Sequence, residues 1–103
     1  MVSYMVPIEL EQKPLDRKCL KLFRKVKSRP CGLRFDEMQR LLEGVGMICI
    51  RKSGSHFIYR KEKPFFLLSI QKMKDGKAKP YQVRQLINFI EEYGLNREEP
   101  NDA

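Results

Sequence analysis

A change of hydrophobic period near the middle of the chain limits the fold most. From Met47 the apolar residues no longer recur at helical spacing, and short runs rich in β-branched and aromatic residues follow one another. The three runs are Met47 to Lys52, His56 to Lys61 and Phe65 to Ile70, joined by Ser53-Gly54-Ser55 and Glu62-Lys63-Pro64. Connections this short favour an antiparallel meander of three strands.

Helical patterns flank these strands on both sides. The first helix is expected from Pro14, and its apolar stripe comprises Leu15, Cys19, Leu22, Phe23 and Val26. The second is expected from an N-cap at Asp36, with Gln39 completing a capping box and Gly46 as the C-cap. The last is expected from Pro80 to Gly94, with Val83, Leu86, Ile87, Ile90 and Tyr93 buried. The order α-α-β-β-β-α predicts an α+β fold.

The length and composition predict one soluble domain with an anionic partner. A chain of 103 residues suits a single core, here 14–95, with an N-terminal extension at 1–13 and a flexible tail at 96–103. Its formal net charge of +8 favours a polyanion, most simply nucleic acid, although an acidic protein or an anionic membrane also fits. Three cysteines without a C-x-x-C pattern predict reduced thiols in the cytoplasm and neither a disulfide framework nor a metal site. No signal peptide or membrane span is expected, and no cofactor.

The only histidine, His56, is the candidate catalytic residue. It follows a Gly-Ser turn and begins the second strand, and imidazole can take up a proton near neutral pH. The alternative is that a lone histidine beside a turn is a solvated surface residue. The neighbouring candidates for RNA contacts are the cations Arg51, Lys52 and Arg60 and the turn Ser53, Gly54 and Ser55, whose N–H groups can form an anion nest. Tyr59, Lys52 or water remains open as the proton donor to the leaving oxygen.

A basic loop, QKMKDGKAK, precedes the last helix. Its lysines are further candidate RNA-binding residues: Lys72, Lys74, Lys77 and Lys79. The third strand carries apolar residues on both faces, so three helices cannot cover the whole sheet. We therefore expect part of an apolar set to remain exposed near His56, namely Ile48, Ile50, Ile58, Phe65 or Leu67. The alternative is that residues 1 to 10 fold over this patch.

The element order and the run RKSGSHFIYR resemble the HicA family of toxin ribonucleases. The resemblance covers roughly 33–95 and includes the helix Phe35 to Val45, the following Gly46, and the segment KAKPYQVRQLINFIEEYGL. It implies a double-stranded-RNA-binding-domain-like fold with helices on one sheet face, mRNA cleavage by His56, and neutralisation by a HicB-like antitoxin. Many members carry a second histidine near the end of the third strand, where this chain reads LLSIQKMK.

Three functions are compatible with these residues. The first is a metal-independent, histidine-dependent endoribonuclease toxin with RNA and an antitoxin as partners. The second is a non-catalytic RNA-binding module of the same fold, and the third is a structural subunit that binds a partner protein. Homo-oligomerisation is also left open. Only His56 distinguishes the first function from the second, because both use the lysine loop.

Overall fold

The computed structural model describes residues 15–96. The elements, in chain order, are α1 Arg17–Ser28, α2 Phe35–Gly44, β1 Ile48–Ser53, β2 His56–Lys61, β3 Phe66–Gln71 and α3 Pro80–Glu92. This is the predicted α-α-β-β-β-α order, and each strand boundary lies within one residue of its predicted position. The N-terminal extension at 1–13 and the tail beyond residue 96 lie outside the described residues.

The strands form one antiparallel sheet in the order β1-β2-β3. Strand alternation and the pairing register divide it into two faces. The inner face carries Cys49, Lys52, Phe57, Tyr59, Lys61, Phe66, Leu68 and Ile70. The outer face carries Ile48, Arg51, Ser53, His56, Ile58, Arg60, Leu67, Ser69 and Gln71. Between Cys49 and Arg51 the register shifts by one residue, so Ile50 lies at a bulge in the β1 edge.

Helices α2 and α3 cover the inner face of the sheet. Phe35 of α2 packs on Phe57 with ring centroids 5.1 Å apart. Phe89 of α3 stacks on Phe66 at 4.0 Å. Helix α1 packs against α2 and α3 rather than on the strands. The predicted arrangement of a meander with helices on one face is therefore confirmed at the level of an α+β fold, and the outer face is left uncovered by residues 15–96.

Helix α1 begins later than predicted. Its N-cap is Asp16, whose carboxylate accepts a hydrogen bond of 2.8 Å from the backbone N–H of Cys19. This side chain satisfies one of the N–H groups that have no partner inside the helix, and the first helical residue is Arg17. The predicted start, Pro14, lies outside the described residues. The buried stripe includes Leu20, which was not predicted, while Leu22 is only half-buried.

The predicted start of α2 at Asp36 is wrong by two residues, because Arg34 is the N-cap. Glu37, not Gln39, accepts the 3.0 Å hydrogen bond from the capping residue's backbone N–H. This start makes Phe35 the first helical residue and buries it against Phe57, which favours the earlier boundary. Asp36 instead receives two hydrogen bonds from the Arg34 guanidinium, at 3.2 and 3.1 Å.

Helices α2 and α3 end in the same glycine motif. After α3, Gly94 has φ of +63°, and the N–H of Leu95 donates back to the carbonyl of Ile90 at 2.8 Å. Leu95 thereby returns to the core. The prediction that Tyr93 is buried is wrong, since its side chain is 51% exposed. Tyr93 follows the last helical residue, and Leu95 fills the core position beyond it. The other predicted core residues of α3 are all buried.

Candidate nucleic-acid interface on the outer sheet face

A two-residue turn places His56 at the start of β2. Ser53 and His56 are paired residues at the ends of β1 and β2, so Gly54 and Ser55 form the whole connection. Gly54 has φ of +61°, the left-handed conformation that glycine adopts without steric strain. Glycine at the first position of a two-residue hairpin loop is typical of a type II′ turn. The turn therefore brings the histidine to one end of the outer face.

The His56 side chain is exposed and has a polar neighbour on each adjacent strand. Ser53 of β1 and Gln71 of β3 are its cross-strand partners. Directly paired residues on one face have Cβ atoms about 4.5 to 5.5 Å apart, so both side chains lie within reach of the imidazole. Arg51 is the diagonal neighbour, because it pairs with Ile58 two residues along β2. The outer face thus combines a histidine, polar side chains and one nearby guanidinium.

Arg60 shares this face but lies farther away and has partners of its own. Arg60 is four positions farther along β2 than His56, a distance of about 13 Å along a strand. Its Nε donates to Glu62 Oε2 at 2.6 Å, and its guanidinium lies 5.3 Å from the centroid of the Phe65 ring. These contacts offset part of its charge, so Arg60 is a weaker candidate for a phosphate contact than Arg51.

Lys52 belongs to the opposite face of the sheet. Its Nζ lies 5.2 Å from the centroid of the Phe57 ring, which packs toward the helices. Tyr59 is also on the inner face, buried, and its hydroxyl accepts a 3.1 Å hydrogen bond from Gln39. Burial raises the pKa of Tyr59. Neither residue is placed to give a proton to a group bound at His56, so water is the remaining candidate of the three that the sequence left open.

The lysine loop does not form one surface. Lys79 reaches the outer face, where its Nζ donates to Gln71 Oε1 at 2.7 Å. Lys72 and Lys77 instead line a hollow of about 340 Å³ beside the start of α2, together with Asp36 and Asp75. Lys74 is exposed at the turn of the loop. Of the four predicted lysines, the structure therefore connects one with His56.

Gln71 joins several parts of this site and was not predicted as a functional residue. Its Nε2 donates to Ser55 Oγ at 3.2 Å, and its backbone N–H donates to Gln82 Oε1 at 3.0 Å. The predicted third strand ended at Ile70, one residue before it. Only the register of β3 against β2 could have indicated its place beside His56, because the two residues are 15 positions apart in the chain.

A second depression lies between α1 and α2, away from His56. It has a volume of about 720 Å³ and is lined by Asp16, Lys18, Cys19, Lys21, Leu22, Lys25, Arg40, Glu43 and Gly44. Burial, and secondarily Asp16, raises the pKa of the Cys19 thiol to about 11. Such a thiol stays protonated at neutral pH and is a poor nucleophile or metal ligand.

The described part of the chain holds no group of three or more histidine, cysteine or acidic side chains arranged to bind a metal ion. Nor does 15–96 include a helix long and apolar enough to cross a membrane. Comparison of the chain with family models, with curated proteins and with solved structures gives no match.

Most of the predicted apolar set is exposed, but it lies at the Arg60 end of the outer face rather than near His56. Ile48 is 67% and Leu67 51% accessible, and these two residues flank Arg60 on β1 and β3. Phe65 and the bulge residue Ile50 are exposed beside them, whereas Ile58 is half-buried. The face thus has a polar end around His56 and an apolar end around Arg60. Such a surface suits a partner with both charged and apolar groups.

Proposed function

We propose that this protein is a HicA-like toxin endoribonuclease that cleaves mRNA with His56 as the general base. The observation that carries the proposal is the position of His56 on an open sheet face. Arg51 lies on one side of it, and Lys79, which is hydrogen-bonded to Gln71, lies on the other. Two cations beside an accessible imidazole match the needs of phosphodiester cleavage. The proposed fold type, resembling a double-stranded-RNA-binding domain, is compatible with helices on the inner face alone.

The proposed reaction begins at the ribose 2′-hydroxyl. His56 removes its proton, and the 2′-oxygen attacks the adjacent phosphorus. The bond from phosphorus to the 5′-oxygen breaks, giving a 2′,3′-cyclic phosphate and a 5′-hydroxyl end. Water supplies the proton to the leaving oxygen, and Arg51 and Lys79 stabilise the extra negative charge of the phosphorane. The side chains thus provide the base and the fixed positive charge, and water provides the acid.

A non-catalytic RNA-binding module is the second candidate function. Within 15–96, no side chain hydrogen-bonds to the His56 imidazole. Catalytic histidines are commonly oriented by a third group, and a merely solvated histidine needs none. In this alternative the same cations bind RNA phosphates, and His56 contributes only to affinity. RNA cleavage separates the two functions, because both predict RNA binding.

The proposed protein partner is an acidic antitoxin of the HicB kind, acting in the cytoplasm. It would place apolar side chains on Ile48 and Leu67 and carboxylates near Arg51, so that RNA could no longer reach His56. Ile48→Lys tests this contact at the end of the face opposite His56. The variant should remain toxic but escape neutralisation by the product of the adjacent gene. Equal neutralisation of both proteins would place the partner elsewhere.

Induced expression of the wild type and His56→Ala tests the proposed function in cells. We expect growth arrest and loss of full-length mRNA with the wild type, and normal growth with His56→Ala at equal protein levels. Ser69→Ala is the matched control, since it removes a small polar group from the same face. Ser69 pairs with Ile58, two residues along β2 from His56. Growth arrest by His56→Ala with intact mRNA would favour the binding module instead.

A further inference from the structure

The end of β3 is fixed by Gln71 through both its backbone and its side chain. Strand β3 is a sheet edge, so the N–H of Gln71 has no neighbouring strand on that side and donates to Gln82 Oε1 at 3.0 Å instead. Gln82 is buried in α3. The strand end beside His56 is thereby tied to the last helix, which limits the movement of Gln71 relative to the imidazole.

The Gln71 carboxamide binds a different residue with each of its two polar atoms. Its oxygen accepts the 2.7 Å hydrogen bond from Lys79, and its nitrogen donates to Ser55 Oγ at 3.2 Å. An ammonium has donors only, so the carboxamide oxygen must face Lys79. The nitrogen then faces the turn that precedes His56. One side chain thus connects the turn, the end of β3 and the residue before α3.

The Lys79 ammonium is hydrogen-bonded without being paired with a carboxylate of the described residues. Its hydrogen-bond acceptor is a neutral amide, and no carboxylate of 15–96 forms an ion pair with it. A half-buried lysine held by a neutral group is oriented without being neutralised. Most lysine side chains lose rotamer freedom when they bind phosphate, and a lysine already held in place loses less.

We propose that Gln71 is a positioning residue that holds the Lys79 ammonium beside His56, where it binds the phosphate of RNA. This inference rests on the proposed function and deepens it. Gln71 itself touches no reacting atom. Its contribution to phosphate binding acts through Lys79, so loss of the Gln71 carboxamide weakens RNA binding only while the lysine is present.

RNA binding by chains that also carry His56→Ala tests the coupling without cleavage. The probe is a fluorescein-labelled oligouridine of 12 nucleotides, and fluorescence anisotropy gives the dissociation constant at several KCl concentrations. We expect Gln71→Met and Lys79→Met each to weaken binding by about tenfold. In the Lys79→Met background, Gln71→Met should have no further effect. Equal losses in both backgrounds would overturn the positioning role.

A second substitution tests the neutrality of the contact. Gln71→Glu keeps the shape but supplies a carboxylate that pairs with Lys79, so the log–log salt slope should fall by about one. The matched control is Gln85→Glu, which makes the same charge change at an exposed position of α3. An identical slope for the two variants would contradict the inference.

Melting curves verify folding of each variant. Absence of RNA binding by His56→Ala itself would refute the proposed function and this inference together, whereas intact binding with uncoupled variants refutes the inference alone.

Discussion

Gly44 and Cys19 pack so closely that no side chain fits between α2 and α1. A Cβ atom built on Gly44 would lie 2.1 Å from Cys19 Sγ. Real Cβ contacts are never this short, so the glycine is needed for the approach of the two helices and not for its backbone conformation. Glycine inside a helix is otherwise unfavourable relative to alanine, which makes the close packing the reason for its presence.

Gly44→Ala should lower the free energy of unfolding by about 1 to 3 kcal/mol, because the new methyl group overpacks the interface. Cys19→Ala removes Sγ and leaves Cys19 Cβ, which is 3.2 Å from the built Cβ atom. The double variant should therefore recover part of the loss. Urea unfolding of both single variants and the double variant measures this coupling. Additive losses would show that the two residues do not share the contact.

The thiols of Cys19 and Cys31 should differ strongly in reactivity. Cys19 is buried, and its pKa is raised to about 11, whereas Cys31 is exposed. At pH 8 a thiol of that pKa is only about one part in a thousand thiolate, the form that reacts. Iodoacetamide should modify Cys31 on the order of 100-fold faster than Cys19 in the folded protein. Mass spectrometry over time measures both, and comparable rates would contradict the burial of Cys19.

Glu37 should make α2 sensitive to acid. The backbone N–H of Arg34, and secondarily Lys25, lowers the pKa of its carboxyl group. A lowered pKa in the folded state means that the stabilisation is present above the unfolded pKa of about 4.3 and lost as pH falls through the folded value. Glu37→Gln should thus lower the free energy of unfolding by about 0.5 to 1 kcal/mol at pH 7 and by almost nothing near pH 2.

The control for this pH dependence is Glu43→Gln, which removes an exposed carboxylate from the same helix. Its free energy of unfolding should differ little from that of the wild type, both at pH 7 and near pH 2. Chemical unfolding at pH 7 and at acid pH measures the three proteins. If the free energies of unfolding of Glu37→Gln and the wild type differ by the same amount at both pH values, the carboxylate charge does not stabilise the helix start.

The outer sheet face and the hollow beside α2 should contribute unequally to RNA binding. Arg51 shares the outer face with His56, whereas Lys72 and Lys77 line the hollow at α2 with two carboxylates. Arg51→Gln should reduce the slope of log affinity against log salt by about one, as expected for one lost phosphate contact. The double variant Lys72→Gln with Lys77→Gln should change this salt slope less than Arg51→Gln does. A larger effect of the lysine pair would place RNA on the α2 side.

The order of elements could be predicted because it depends on local periodicity and turn residues. The strand alternation also placed Tyr59 and His56 on opposite faces. The starts of α1 and α2 were less predictable, since the cap at Arg34 depends on burying Phe35 against a strand more than 20 residues away. The exposed position of Tyr93 likewise follows from the return of Leu95 to the core.

The sequence marks His56, Arg51 and Lys79 as candidates, but it does not separate these cations from the others around them. Lys52 is adjacent to Arg51 in the chain and lies on the opposite sheet face. Gln71 carries no charge and belongs to no recognisable motif, so nothing in its local sequence indicates a role. Its place beside His56 is a consequence of strand register, a long-range property that composition and spacing do not encode.

Cleavage of a defined RNA by purified protein tests the role of His56 most directly. With EDTA present, the wild type should cut a single-stranded RNA and leave a 2′,3′-cyclic phosphate, while a substrate whose riboses are all 2′-deoxy stays intact. Loss of general base catalysis in His56→Ala should lower the rate by about 100-fold or more, with an unchanged melting temperature. Equal cleavage by folded His56→Ala and the wild type would contradict the assignment of His56 as the catalytic base.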